Sequence, residues 1–74
     1  MILPDKHTNL DQSILGGGAT LLAQLTRPLT VTGLWERSKA HAEVGNFERF
    51  VLTLDFLYSV GAVDFRDDVL VKSR

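Results

Sequence analysis

The sequence predicts a small α+β domain of the winged helix-turn-helix type: three helices, a C-terminal β-hairpin as the wing, and a possible short N-terminal strand. Three observations predict this fold. Apolar residues recur at helical spacing in three segments, and each segment follows a residue that can cap a helix. The last helical segment runs through Gly61 into AVDFRDDVLVK, where apolar and polar residues alternate around a turn. The length of 74 residues predicts a single domain over residues 1–74.

The N-terminal segment, Met1 to Asn9, is expected to be an edge strand or a docked arm. Pro4 cannot donate a backbone hydrogen bond, and it biases the residue before it towards extended backbone. Asp11 is the predicted N-cap of the first helix, which keeps helical spacing of leucine and isoleucine up to Thr26. Gly16-Gly17-Gly18 lies inside this helix, although each glycine costs about 1 kcal/mol relative to alanine there. The three glycines therefore either delay the helix start or allow another backbone to approach closely.

The second and third helices have clearer boundaries. Thr30 is the predicted N-cap of a short second helix. Its buried stripe is expected to consist of Val31, Leu34, Trp35 and Ser38. A loop from Lys39 to Gly45 follows, and Asn46 then caps the long third helix. Gly61 supplies the left-handed residue expected just past a helix end, and the hairpin is expected to turn at Asp67-Asp68.

The third helix is unusual because it is apolar on two sides. Its predicted core face consists of Phe47, Phe50, Val51, Leu54, Leu57 and Tyr58. The opposite side of a surface helix is normally polar, but here it carries Leu52, Phe56 and Val60, with Arg49 and Thr53 beside them. The rest of so short a chain can cover only one of these sides. The residues predicted to bind a partner are therefore Leu52, Phe56, Val60 and Arg49. The alternative is that the N-terminal arm folds over them in an isolated monomer.

Composition bears on several other function classes. No cysteine is present, and His7 and His41 have no neighbours that suggest a metal site or a catalytic base, so we expect no metal, no cofactor and no enzymatic activity. The glycine triplet lacks the surroundings of a phosphate-binding loop. Asp64, Asp67 and Asp68 are better suited to the hairpin turn than to a cation. The N-terminus resembles no signal peptide, and no apolar run approaches the length of a membrane span, so the chain is expected in the cytoplasm.

A winged helix is often a DNA-binding fold, and the surface of this one argues against that use. The net charge is -1, and the basic residues are scattered. Glu48 and Asp55 on the third helix would repel phosphates, and its outward face carries apolar residues where a DNA reader carries arginine, lysine or amides. Protein binding is therefore the favoured interpretation. The alternative is a small winged-helix transcriptional regulator that acts on DNA as a homodimer; a homodimer without other partners is a weaker option.

Several segments together resemble one protein family. They are MILPDKH at the N-terminus, LGGGATLLAQL, PLTVTGLWE, FERFVLTLDFLYSVGAV and the closing hairpin. In this order they resemble the small middle component, type six, of bacterial ABC-three-component systems, over essentially the whole chain. The resemblance implies a non-enzymatic adaptor encoded beside an ABC or SMC-like ATPase and an effector-bearing subunit, in defence against phages, plasmids or other invading DNA. It carries over no catalytic residue, so the predicted partner residues rest on helical periodicity alone.

Overall fold

The computed structural model describes the backbone of residues 4–73 and the side chains of residues 14–73. Its elements follow the order helix, helix, helix, strand, strand. They are α1 (Pro4–Gln24), α2 (Val31–Ser38), α3 (Phe47–Ser59), β1 (Val63–Arg66) and β2 (Val69–Lys72). This order confirms the predicted α+β winged-helix layout. Within the described residues, no helix combines the length and the apolar content needed to cross a membrane.

Helix α1 begins much earlier than the sequence predicted. Pro4 is its first residue, and Asp11 lies in its interior rather than at its N-cap. The expectation of a strand or docked arm is therefore wrong from Pro4 onward, and Met1 to Leu3 lie outside the described residues. Proline suits the first turn of a helix, because the backbone N–H that it lacks has no intrahelical partner there. Proline thus starts this helix instead of ending an extended segment.

The glycine triplet lies inside α1 and marks its closest contacts with the rest of the chain. Gly17 and Gly18 are buried. A Cβ atom on Gly17 would lie 2.9 Å from the carbonyl oxygen of Glu43, and one on Gly18 would lie 3.2 Å from Cδ2 of Leu57. Of the two explanations that the sequence left open, close approach is therefore confirmed. The same contacts fill the space that a bound phosphate would need beside Gly17 and Gly18.

The predicted caps of α2 and α3 are confirmed. Thr30 Oγ1 accepts a hydrogen bond from the backbone N–H of Gly33 at 3.0 Å, and Asn46 Oδ1 accepts one from Arg49 at 2.9 Å. Past the end of α3, Gly61 has a φ of 80°. The N–H of Gly61 bonds to the carbonyl of Tyr58 and that of Ala62 to the carbonyl of Leu57, which is the Schellman pattern. Local side-chain and backbone chemistry therefore fixes three of the helix ends.

The hairpin also forms as predicted. β1 and β2 pair antiparallel around Asp67-Asp68, whose φ values are 51° and 68°. Two positive φ values are typical of the type I′ turn, whose twist matches that of the flanking strands. Leu29, between α1 and α2, exchanges two backbone hydrogen bonds with Leu70 of β2, at 3.2 and 2.6 Å. The wing is therefore tied to the connection between the first two helices.

Every element and both connections between the helices contribute to the core. The buried apolar residues are Leu21, Leu25, Leu34, Val44, Phe50, Leu57, Val63 and Leu70. The predicted stripe of α2 is confirmed, with Leu34 and Ser38 buried and Val31 and Trp35 partly buried. Val44 is fully buried although it lies in the loop between α2 and α3. That loop is thus anchored to the core and sets where α3 begins.

Candidate protein-interaction surface

The buried side of α3 differs from the predicted core face. Phe50, Thr53 and Leu57 are buried. Phe47, Val51 and Tyr58 were predicted in the core, but they are 50%, 37% and 58% exposed. The reason is the position of α1, which lies against Thr53 and Leu57 through Gly17 and Gly18. The buried stripe is therefore centred between Phe50 and Thr53, and the side carrying Phe47, Val51 and Tyr58 turns away from it.

The predicted partner-binding residues lie on one exposed side of α3 and just past its end. We call Arg49, Leu52, Phe56 and Val60 the outer face. Of its apolar members, Leu52 is 55% exposed, Phe56 is 37% exposed and Val60 is 60% exposed. From Pro4 onward the N-terminal segment forms the first turns of α1, and the arm Met1 to Leu3 that could fold over them lies outside the described residues. Their exposure agrees with a binding surface, and their role in binding stays a prediction.

Arg49 contributes to the outer face in a different way from its apolar neighbours. It is only partly exposed, and the stem of its side chain lies against Gly45, where an added Cβ would approach Arg49 Cδ to 3.1 Å. Its Nη2 atom is buried and has no hydrogen-bond acceptor within the described part of the chain.

Acidic residues separate the outer face from the other exposed side of α3. Glu48 and Asp55 are exposed and lie two turns apart, within about 20° of each other around the helix axis. We call them the acidic ridge. Among residues 14–73 the salt bridges join Glu36 to Lys39 at 2.8 Å and Asp64 to Arg66 at 3.5 Å, so neither ridge carboxylate is paired within this range. The exposed polar surface of α3 is therefore acidic.

The second exposed side of α3 is a stripe of apolar residues beside α2. We call Phe47, Val51, Leu54 and Tyr58 the lateral seam; Leu54 is its partly buried member. Trp35 of α2 packs edge to face against Phe47, with ring centroids 5.3 Å apart. The sequence did not reveal this surface, because helical periodicity placed all four residues in the predicted core face. The signal in the sequence was their spacing of four, three and four residues, with acidic residues at positions 48 and 55 beside them.

The tip of the wing is acidic, like the exposed polar surface of α3. The turn residues Asp67 and Asp68 are exposed, and Asp64 accepts hydrogen bonds from the backbone N–H of Phe65 at 2.8 Å and from Arg66 Nε at 3.5 Å. The three aspartates do not converge, and no group of three His, Cys, Asp or Glu residues within the described residues could hold a metal ion. A wing with an acidic tip would repel a phosphate backbone.

One further polar contact fixes the loop before α3. Thr20 Oγ1 on α1 donates a hydrogen bond to Oε2 of Glu43 at 2.9 Å. Hydrogen bonding by the backbone N–H of Glu43, and then by Thr20, lowers the pKa of the Glu43 carboxyl, with a smaller contribution from the charge of His41. The folded arrangement therefore favours the carboxylate form of Glu43.

The comparisons with known proteins bear on the whole domain. No curated protein and no solved structure matched the chain. One protein family did match, over residues 3–74, and it is described as "ABC-three component (ABC-3C) system Middle Component 6". A component of such a system works beside other subunits, which agrees with a domain that leaves two apolar surfaces on one helix. The chain belongs to the Middle Component 6 family of ABC-three-component systems.

Proposed function

We propose that this chain is a non-enzymatic adaptor subunit that binds other components of its ABC-three-component system through the outer face. The observation that carries this proposal is the exposure of Leu52 and Phe56, and of Val60 just past the helix end, on the helix that a winged-helix protein ordinarily presents to DNA. The partners are an ABC or SMC-like ATPase and an effector-bearing subunit of the same system, in a complex that acts in bacterial defence against phages or plasmids.

The chemistry of the outer face supports a protein partner. When a partner covers apolar side chains that the monomer leaves in water, each Å² of apolar area removed from water contributes roughly 25 cal/mol to the free energy of binding. A few such residues commonly supply most of the binding energy of an interface. Arg49 adds a polar group that a partner carboxylate would satisfy. Phe56 lies between Leu52 and Val60 along the helix and is therefore the expected centre of the contact.

Two adjacent residues of α3 allow a controlled test. Phe56 is 37% exposed, whereas Leu57 is 4% exposed. Phe56→Glu should leave the fold intact and abolish co-purification with the other components, because a carboxylate would be buried in an apolar contact. Leu57→Ala should instead lower the free energy of unfolding by about 2–5 kcal/mol. The measurements are pull-down of the co-expressed components and thermal unfolding of the isolated chain.

Opposite results would reject the proposal. If Phe56→Glu unfolds the chain as severely as Leu57→Ala, Phe56 belongs to the core rather than to a binding surface. If Phe56→Glu and Leu52→Glu both leave co-purification unchanged in a folded chain, the outer face does not bind the partners.

The winged-helix layout itself favours a second candidate, a homodimeric DNA-binding regulator. Against it stand the exposed acidic ridge, Glu48 and Asp55, and the acidic tip of the wing. A protein that contacts several phosphates loses affinity steeply as salt rises, because each contact releases counterions. A titration of the purified chain with duplex DNA at low and high salt decides between the two. Binding with a steep salt dependence would support the regulator, and an absence of binding at low salt would remove it.

A further inference from the structure

The lateral seam has the residue spacing of a coiled-coil surface. Phe47, Val51, Leu54 and Tyr58 follow one another at intervals of four, three and four residues, which corresponds to heptad positions d, a, d and a. Three of these side chains are exposed, by 37% to 58%, and Leu54 is partly buried between them. This pattern normally packs against a second helix that carries the same repeat. Trp35 covers one side of the Phe47 ring, and each of the three side chains still leaves 37% or more of its surface exposed.

The same heptad frame gives a role to the acidic ridge. When Phe47 and Leu54 are d positions, Glu48 and Asp55 are the two e positions. Residues at e and g face the partner helix and commonly select it through opposite charges. Neither carboxylate has a cationic partner within residues 14–73. On the other edge, the g positions are Phe50 and Leu57, which are buried in the core. Glu48 and Asp55 are therefore the flanking residues of the seam that can select a partner helix by its charge.

We infer that the lateral seam binds a helix of another component of the system, one with an apolar heptad stripe bordered by lysine or arginine. A second copy of α3 does not fit. In an antiparallel pair, e positions face each other, so Glu48 of one copy would meet Asp55 of the other. In a parallel pair, e faces g, and the g residues Phe50 and Leu57 are inside the core. Both arrangements leave the ridge carboxylates without a cation.

The seam and the outer face are separate surfaces. The acidic ridge lies between them on α3, so a helix on the seam would leave Phe56 uncovered. At a rise of 1.5 Å per residue, α3 is about 20 Å long and spans nearly two heptads. One chain therefore offers a site for each of two partner segments. This inference rests on the proposed adaptor function only in taking the partner from the same system.

The test uses the full chain with the two other components of its system, expressed in full length. The seam variant is Val51→Glu with Tyr58→Glu, and the ridge variant is Glu48→Lys with Asp55→Lys. The matched control, Asp67→Lys with Asp68→Lys, makes the same charge change at the wing tip. We expect the seam variant to bind one component at least about 100-fold more weakly, because two carboxylates would be buried against an apolar stripe. Circular dichroism of each variant tests whether it is folded.

The ridge variant tests the charge of the partner. It should bind about tenfold more weakly than the wing-tip control at low salt, and the difference should shrink at high salt, where charges are screened. Equal affinities of these two variants would overturn the inference of a basic partner. Unchanged binding by the folded seam variant would overturn the docking site itself. A wild-type dimer that the seam variant converts to a monomer would identify a second copy as the occupant, contrary to the inference.

Phe56→Glu keeps the two proposals apart. If it has no effect while the seam variant loses a component, the outer face fails and the seam stands. If only Phe56→Glu disrupts binding, the seam fails and the proposed function stands.

Discussion

Replacing Gly17 by alanine tests how closely α1 lies against the rest of the domain. The new Cβ atom would lie 2.9 Å from the carbonyl oxygen of Glu43, which is backbone and cannot rotate away. Gly16, its neighbour in the same helix, provides the control. A Cβ atom there would lie 3.9 Å from Cβ of Glu43, which is ordinary van der Waals contact. The two substitutions are chemically identical and differ in the space that receives the methyl group.

The difference between the two variants isolates the steric effect. Each alanine gains about 1 kcal/mol of helix propensity over glycine, so Gly16→Ala should stabilise the domain by up to about that amount. Gly17→Ala makes the same gain but adds an overpacking cost of about 1–3 kcal/mol. Because the propensity gain is common to both, Gly17→Ala should be less stable than Gly16→Ala by about 1–3 kcal/mol. The contact distances therefore predict a gain in stability for Gly16→Ala and a net change from about zero to a loss of about 2 kcal/mol for Gly17→Ala.

Thermal and urea unfolding followed by circular dichroism measure this difference. For a domain of this size, 1 kcal/mol corresponds to roughly 4–8 °C in the unfolding midpoint. The midpoint of Gly17→Ala should therefore lie at least about 4 °C below that of Gly16→Ala. If Gly17→Ala is as stable as Gly16→Ala, then α1 does not approach the Glu43 backbone as closely as described, and the explanation of the glycine triplet is wrong.

Three further predictions concern local contacts. Asn46→Ala should lower the free energy of unfolding by about 0.5–2 kcal/mol in urea denaturation, because the first turn of α3 loses its cap. The folded state lowers the pKa of Glu43 below its ordinary value of 4.5. The Glu43 carboxylate therefore stabilises the domain at pH values above 4.5, and this stabilisation is lost as the pH falls through the lowered pKa. In unfolding measured against pH, Thr20→Val should weaken that acid dependence. Asp68→Gly should raise the unfolding midpoint by relieving an αL conformation that costs about 1 kcal/mol or more, and an unchanged or lower midpoint would count against the turn geometry.

The features that the sequence predicted well depend on neighbouring residues. Thr30 and Asn46 cap helices through hydrogen bonds to residues three positions ahead. Gly61 ends α3 with a left-handed backbone, and the alternation around Asp67-Asp68 sets the hairpin register. Each of these signals is complete within a few residues. The exposure of Leu52, Phe56 and Val60 was also predicted, because their helical spacing separates them from the predicted core face.

The errors concern features that depend on distant parts of the chain. Pro4 fits both an extended segment and the first turn of a helix, and its sequence neighbours favoured the wrong choice. The core side of α3 is set by where α1 lies, so Thr53 is buried and Phe47 is exposed although its ring is the more apolar of the two side chains. Val44 lies in a polar loop and still reaches the core. No local pattern indicates which side of an apolar helix its neighbours will cover.

The backbone pairing of Leu29 with Leu70 has a consequence for how the domain unfolds. Two strands of four residues form at most a marginal hairpin by themselves. Here Leu29, in the connection between α1 and α2, adds two backbone hydrogen bonds to β2, so we expect the wing to stay folded only while the helices stay folded. We therefore expect the amide hydrogens of both leucines to show a hydrogen-exchange protection equal to the free energy of global unfolding. The wing and the connection between α1 and α2 are thus expected to unfold together, so a partner that needs both would find either both formed or neither.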